Sequence, residues 1–230
     1  MRNAKLAVLG AALAGTLAFG GAPAQANIVW DLSTYGGNLG PTSSYTSDGY
    51  TITATGWLAT DVGGAYQFPI SPTDLYGKQL GGDEDGLGIA NDPSGDHEIY
   101  FPSFIQIDVS DPYAAGLTHY QFEMGSSTQG EQWSVFGSNQ PIANPPPDYN
   151  YQILYDNYTD ELTPHDLSGY KYYLFLYTGP QEGVGDSNVL LYKTFAAIVP
   201  EPSTWALLGL GFAALAFVGY RRANGKAVTA

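Results

Sequence analysis

Carboxylate side chains are concentrated in one short stretch between Gly81 and Ile99. Glycines and a proline separate its six acidic residues, which are Asp83, Glu84, Asp85, Asp92, Asp96 and Glu98. Carboxylates this close repel one another unless a cation lies among them, and calcium takes about six to eight oxygen ligands from irregular loops. The stretch therefore predicts a candidate calcium site. A solvated acidic loop that keeps a sheet edge from pairing is the alternative interpretation.

The remaining reactive side chains form no catalytic pattern. His97, His119 and His165 lack the paired spacing of a zinc site, and no G-x-S-x-G elbow holds a serine nucleophile. The chain has no cysteine, which excludes disulfides, thiolate zinc sites and a cysteine nucleophile. We therefore expect a non-enzymatic protein with no catalytic residues. A hydrolase that acts on polysaccharide remains the alternative, because glycoside hydrolysis needs only two carboxylates across a cleft.

Tyrosines are the second candidate for ligand contact. They are frequent in the second half of the chain, and Tyr149 and Tyr151 follow a run of three prolines at 145–147. A tyrosine on a surface offers a flat apolar ring and a hydroxyl, which suits stacking on sugars. We therefore predict possible sugar stacking at these two residues. Most of the other tyrosines are expected to fill a core.

The elements that position these residues are expected to be strands. Ile105, Ile107 and Val109 alternate with Gln106 and Asp108, so that one apolar and one polar face result. Similar segments recur at 120–124, 133–136, 169–178 and 188–198, and glycine-rich turns separate them. Nine or ten strands and no helix are expected between residues 27 and 198. This pattern predicts an all-β domain, a two-sheet β-sandwich or jelly roll.

Charge and composition exclude one large class of partner. The 230 residues carry a formal charge of −14 and a pI near 4.2. Nucleic-acid binding needs a basic surface against the phosphate backbone, so it is not expected. A hydrophobic fraction of 44% is sufficient for a packed core.

The N-terminal segment, residues 1–26, has the pattern of a secretory signal peptide. Arg2 and Lys5 precede an uncharged apolar stretch that is too short to span a bilayer. Ala24 and Ala26 then occupy the small positions of a cleavage site. The mature chain is therefore expected to begin at Asn27.

The C-terminal segment, residues 199–230, has three parts in a fixed order. A Val-Pro-Glu-Pro-Ser motif is followed by an uncharged apolar run at 205–220 and then by two arginines. The candidate sorting residues are those of the motif and of the arginine pair: Pro200, Glu201, Pro202, Arg221 and Arg222. Sixteen residues reach about 24 Å as a helix, which predicts a marginal transmembrane-like helix. The arginines would keep the tail on the cytoplasmic side.

This arrangement resembles the PEP-CTERM sorting signal of Gram-negative bacteria. The resemblance implies that an exosortase, a membrane enzyme, removes the helix and tail after transient anchoring in the inner membrane. It also implies an exported protein of the cell surface or extracellular matrix, associated with exopolysaccharide or biofilm. Tails of this kind also carry an ice-binding label, which describes the anchor and implies no ice binding by the domain.

The acidic stretch carries a second, partial resemblance. Gly86 to Ile89 followed by Asp96 to Ile99 is similar to a "GLG…DEI" pattern of many PEP-CTERM domains, in which a calcium-type jelly-roll site is suspected. Here His97 stands where that pattern has Glu. We predict an exported, non-enzymatic β-sandwich that interacts with polysaccharide or matrix, with calcium as its candidate cofactor. The alternatives are the hydrolase and a self-associating structural subunit.

Overall fold

The computed structural model describes residues 27–62, 65–92, 95–126, 131–141, 152–159, 163, 167–179, 188–197 and 202–224. Several predicted sites lie outside these ranges. They are the cleavage positions Ala24 and Ala26, the proposed stacking residues Tyr149 and Tyr151, and Pro200 and Glu201 of the sorting motif.

Fourteen strands and two helices follow one another in the described chain. The strands are β1 (Asn27–Asp31), β2 (Gly37–Gly40), β3 (Thr42–Ser47), β4 (Tyr50–Val62), β5 (Ala65–Pro72), β6 (Leu75–Gln79), β7 (Asp85–Ile89), β8 (Ser103–Asp108), β9 (His119–Gly125), β10 (Trp133–Ser138), β11 (Gln152–Tyr158), β12 (Leu167–Ser168), β13 (Tyr172–Tyr177) and β14 (Leu190–Ala197). The helices are α1 (Ser110–Ala114) and α2 (Pro202–Asn224), and a 3₁₀ turn at Gly82–Glu84 precedes β7.

The strands form two antiparallel sheets, as the sequence predicted. The first sheet has the order β12-β9-β14-β7-β6-β2, with β1 also paired to β14. The second has the order β11-β10-β13-β8-β4-β3, with β5 also paired to β4. Because consecutive strands often lie in different sheets, the chain crosses between the two layers of a β-sandwich.

The core lies between the inner faces of the two sheets. Phe122 of β9 in the first sheet packs against Tyr173 and Phe175 of β13 in the second, with ring centroids 4.9 and 4.7 Å apart. All three side chains are fully buried. The predicted alternation in β8 holds for Ile105 and Ile107, which are buried in the same core.

Gln106 of β8 lies on the face opposite Ile105 and Ile107 and is buried there, on the side of the sheet where Phe104 and Leu174 belong to a small apolar cluster. One expectation about this domain was wrong: it contains one helical turn, α1, which follows β8 directly. Pro112 in that turn has the fixed φ that a helix start requires.

Helix α2 begins three residues before the predicted apolar run and ends four residues after it. Among the residues that the structure describes, no helix combines the length and the apolar character needed to cross a membrane. The prediction of a transmembrane-like helix at 205–220 is therefore not supported. The uncharged run covers only 16 residues, and polar residues complete the helix at both ends.

A lysine-centred cluster and an adjoining groove

Two strands of the first sheet position the candidate site. In β7, Leu87 and Ile89 point into the core, so the alternation of a strand places Gly86 and Gly88 on the opposite face. A Cβ added at Gly88 would lie 2.8 Å from the Cα of Glu98 and would also overlap the carbonyl group before it. The absence of a side chain at Gly88 therefore lets the segment 95–98 pass directly over the sheet.

This close passage brings the segment against β6. Tyr76 and Lys78 of β6 pair with Gly88 and Gly86 of β7, so their side chains stand next to the space that the glycines leave. Tyr76 stacks on the ring of His97, with centroids 3.9 Å apart and planes inclined by 22°. Lys78 forms an ion pair with Glu98 of the same segment.

Lys78 is the centre of a polar cluster, which we call the lysine cluster and which consists of Lys78, Glu84, Glu98 and Ser126. The lysine ammonium donates hydrogen bonds to both glutamates. The Ser126 hydroxyl lies 3.1 Å from Glu84 and 3.2 Å from Glu98. Glu98 is 2% exposed, and its Oε2 atom has no hydrogen-bond partner among the residues that the structure describes. Two carboxylates thus share one ammonium group, and one of them is buried with an unsatisfied oxygen.

Burial and the ammonium group act in opposite directions on this cluster. Burial raises the pKa of Glu98 to about 7, although the hydrogen bond from Lys78 opposes the shift. The hydrogen bond from Lys78 lowers the pKa of Glu84, which is nearer to solvent. Burial alone would lower the pKa of Lys78, but hydrogen bonds to Glu84 and Glu98 outweigh it and raise that pKa. At neutral pH the cluster therefore contains an ammonium group and an ionised Glu84, and burial favours the protonated form of Glu98 more than water would.

The six predicted calcium ligands do not meet at one point in the described structure. Only Glu84 and Glu98 come together, and they meet on Lys78. Asp85 instead accepts a hydrogen bond from the Gly81 amide at 2.7 Å. Asp92 is buried in the turn after β7, and Asp96 precedes the stacked His97. The side chain of Asp83 is outside the described set.

Calcium binding by this stretch therefore remains a prediction. In the part of the chain that the structure describes, no three His, Asp or Glu side chains are placed to hold a metal ion. The ammonium group of Lys78 offsets the charge of two of the six carboxylates, those of Glu84 and Glu98.

An open groove adjoins the lysine cluster, and we call it the Tyr76–His97 groove. It encloses about 380 Å³, and its walls include Gly36, Tyr76, Lys78, Gln79, Asp96 and His97. Volumes of roughly 300–1,000 Å³ are usual for small-molecule sites. A smaller cavity of about 50 Å³ lies on the other side of the cluster, where Ser126 forms part of its wall. The groove thus combines aromatic rings with amide and carboxylate groups.

Hydrogen bonds hold the walls of the groove in place. His97 has a left-handed backbone with φ 63°, and its Nδ1 atom lies 3.0 Å from the Ala90 carbonyl oxygen. The Gln79 amide donates to the Ser33 carbonyl oxygen at 2.5 Å. The ring of His97 is thereby fixed parallel to Tyr76, so the stack can offer a preformed surface to a ligand.

Sequence reasoning did not find this groove. His97 was noted only for lacking the spacing of a zinc site and for standing where a similar pattern has Glu, and Tyr76 was not singled out. The alternation of glycines with Leu87 and Ile89 was the available signal, because glycine within a strand often marks the close approach of another segment. The pairing of Tyr76 with His97 was not visible, since 20 residues separate them.

Comparison with known families identifies only the end of the chain. Residues 199–222 match the family model of the PEP-CTERM protein-sorting motif. The searches of curated proteins and of solved structures found no match. The match confirms the predicted sorting signal, which contains Pro200, Glu201, Pro202, Arg221 and Arg222. The chain is therefore an exported protein that an exosortase sorts to the cell surface.

Proposed function

We propose that the mature domain is a non-enzymatic surface or matrix protein that binds polysaccharide in the Tyr76–His97 groove. The observation that carries this proposal is the stacked pair of rings, which lines an open groove beside amide and carboxylate groups. Sugar rings present apolar C–H faces to aromatic side chains and hydroxyls to planar polar groups. A chain of sugars can enter such a groove from solvent, as a matrix polymer requires.

The sorting signal supports the setting of this proposal. An exported protein at the cell surface meets exopolysaccharide before it meets most other polymers. Attachment to the inner membrane before cleavage and a Gram-negative source remain predictions. The mass of the protein recovered from the cell surface tests processing, because it is expected to correspond to a chain that begins at Asn27 and lacks α2.

Binding of the full-length protein to soluble oligosaccharides tests the groove. Isothermal calorimetry should detect binding that Tyr76→Ala and His97→Asn each weaken about tenfold, because about 1.4 kcal/mol of stacking is lost. Asparagine tolerates the left-handed backbone of position 97, so the second variant removes the ring without straining the loop. Tyr192→Ala is the matched control, because it removes a half-buried tyrosine from the smaller cavity. Equal affinities of the wild type and the three variants for the oligosaccharide would show that the sugar binds elsewhere.

Hydrolysis of polysaccharide is the second candidate, and one observation favours it. Glu98 and Glu84 have pKa values shifted in opposite directions, which is the pattern of an acid and its ionised partner in glycosidases. The burial of Glu98 and the ammonium group between the two carboxylates weigh against it, because a substrate must reach both groups. Release of reducing sugar by the wild type, lost in both Glu98→Gln and Glu84→Gln, would establish the hydrolase.

Self-association remains the third prediction. Within the part of the chain that the structure describes, β3, β5 and β11 each pair with one strand of the second sheet and are the edges at which another copy could pair. Size-exclusion chromatography across a range of concentrations distinguishes a monomeric binding protein from a subunit of an assembly.

A further inference from the structure

The ring of His97 faces the sheet because the backbone turns at that residue. His97 and Glu98 are neighbours in sequence, and in an extended chain their side chains would point in opposite directions. The left-handed φ of 63° at His97 changes this, so that the His97 ring contacts Tyr76 and the Glu98 carboxylate contacts Lys78. Residues other than glycine adopt this conformation at a cost in energy, and it persists where the surrounding contacts hold it.

Three side-chain contacts hold the turn at His97 against the sheet. They are the ring stack on Tyr76, the contact of Nδ1 with the Ala90 carbonyl oxygen, and the ion pair of Glu98 with Lys78. A ring stack and a single hydrogen bond each contribute little, whereas removal of one partner of a buried ion pair is strongly destabilising. Both Glu98 and Lys78 are buried, so their ion pair is the strongest of the three contacts.

The two glutamates of the lysine cluster hold different segments. Both accept hydrogen bonds from the ammonium group of Lys78. Glu84 belongs to the 3₁₀ turn that precedes β7, whereas Glu98 belongs to the segment that carries His97. Loss of Glu84 would therefore leave His97 tied to β6, and loss of Glu98 would release it.

We propose that Glu98 is a positioning residue of the Tyr76–His97 groove: its ion pair with Lys78 keeps the ring of His97 stacked on Tyr76. Glu98 is not one of the described residues that line the groove, so it acts on a ligand only through His97. Tyr76 and Lys78 lie two residues apart on β6 and share one face of the sheet, so a single strand holds both the ring and its anchor. This inference rests on the proposed function, because it names the residue that prepares the same groove for a sugar.

NMR spectroscopy of the histidine ring tests the positioning without any ligand. The centroid of the Tyr76 ring lies 3.9 Å from that of His97, so the ring current of Tyr76 should move the His97 ring-proton signals upfield. The chain has three histidines, and His97→Asn identifies which signals belong to position 97. Glu98→Met fills the space without a carboxylate and should return the His97 signals to their positions in Tyr76→Ala. Glu98→Gln should keep the wild-type signals, because its amide oxygen still accepts a hydrogen bond from Lys78.

Glu84→Met is the matched control, because it removes a glutamate from the same lysine but from another segment. It should leave the His97 signals where they are in the wild type. Calorimetry of the full-length protein with the soluble oligosaccharides should show about tenfold weaker binding by Glu98→Met, the same loss as for His97→Asn. The affinities of Glu98→Gln and Glu84→Met should stay within about twofold of the wild type.

The outcomes separate this inference from the proposed function. Unchanged His97 signals in Glu98→Met would overturn the inference, and so would equal displacements in Glu98→Met and Glu84→Met, because the lysine cluster would then act on the whole domain. Glu98→Ala takes the place of Glu98→Met if the longer side chain prevents folding. Absence of sugar binding by the wild type would overturn the proposed function, while the His97 signals would still decide whether Glu98 holds the ring.

Discussion

Glu98 gives the sharpest test of the energetics of the site. Its pKa in the folded protein is about 7, and its ordinary value is 4.5. Between these two pH values the folded protein holds a proton that the unfolded chain has released. Stability that is present below pH 4.5 is therefore lost as the pH rises to 7. Replacing Glu98 with Gln removes the titrating group and keeps the shape of the side chain.

The size of the effect follows from the two pKa values. One pKa unit corresponds to about 1.36 kcal/mol. With a folded pKa of about 7 and an unfolded value of 4.5, the carboxyl costs the wild type about 2 to 3 kcal/mol more at pH 8 than at pH 5. The stability of Glu98→Gln relative to wild type should therefore rise by about 2 to 3 kcal/mol over this range. With an m-value of about 2 kcal/mol/M, the urea midpoints should separate by about 1 M.

Urea unfolding of both proteins at several pH values, followed by tryptophan fluorescence, measures this difference. Glu84→Gln is the control of opposite sign. The pKa of Glu84 is lowered from its ordinary value of 4.5, so its carboxylate stabilises the folded protein above pH 4.5, and this stabilisation is lost as the pH falls. Glu84→Gln should therefore be less stable to urea than the wild type at neutral pH and equally stable in acid. A constant difference between Glu98→Gln and wild type would refute the raised pKa of Glu98. A difference that falls with increasing pH would show that Lys78 outweighs burial.

Three further predictions concern the backbone, the metal and the sorting signal. Gly88→Ala should destabilise the domain by about 2 kcal/mol or more in urea unfolding, because the backbone at His97 and Glu98 must move to make room for the new methyl group. Gly209→Ala is the control: its methyl group would meet open space, so the unfolding of the domain should not change. If the stretch 81–99 binds calcium, the melting temperature should be higher in millimolar calcium than in chelator, and equal melting temperatures would remove the predicted calcium site. Glu201→Ala in a strain with an active exosortase should leave α2 on the protein, and a mass spectrum without that segment would contradict the role of the motif.

The C-terminal sorting motif and the general architecture of the protein could be predicted because their signals are local. A processing enzyme recognises a sorting motif as linear sequence, so residues 199–222 could be identified without knowledge of the fold. The period of two in Ile105, Ile107 and the neighbouring strands follows from the geometry of an extended chain. The number of strands was underestimated because short strands, such as β2 and β12, contain too few residues for a period to be visible.

The site depended on contacts that sequence spacing does not encode. Six carboxylates in one stretch indicated that a positive charge was needed, and only the pairing of β6 with β7 showed that Lys78 is available to supply it. The same pairing placed Tyr76 under His97, across a distance in sequence that gives no local signal. Sequence alone thus determined the export of this protein and its strand-rich character, since both depend on neighbouring residues. The tertiary structure decided that Lys78 pairs with Glu84 and Glu98 and that Tyr76 stacks on His97, because segments far apart in the chain meet only when the sheet forms.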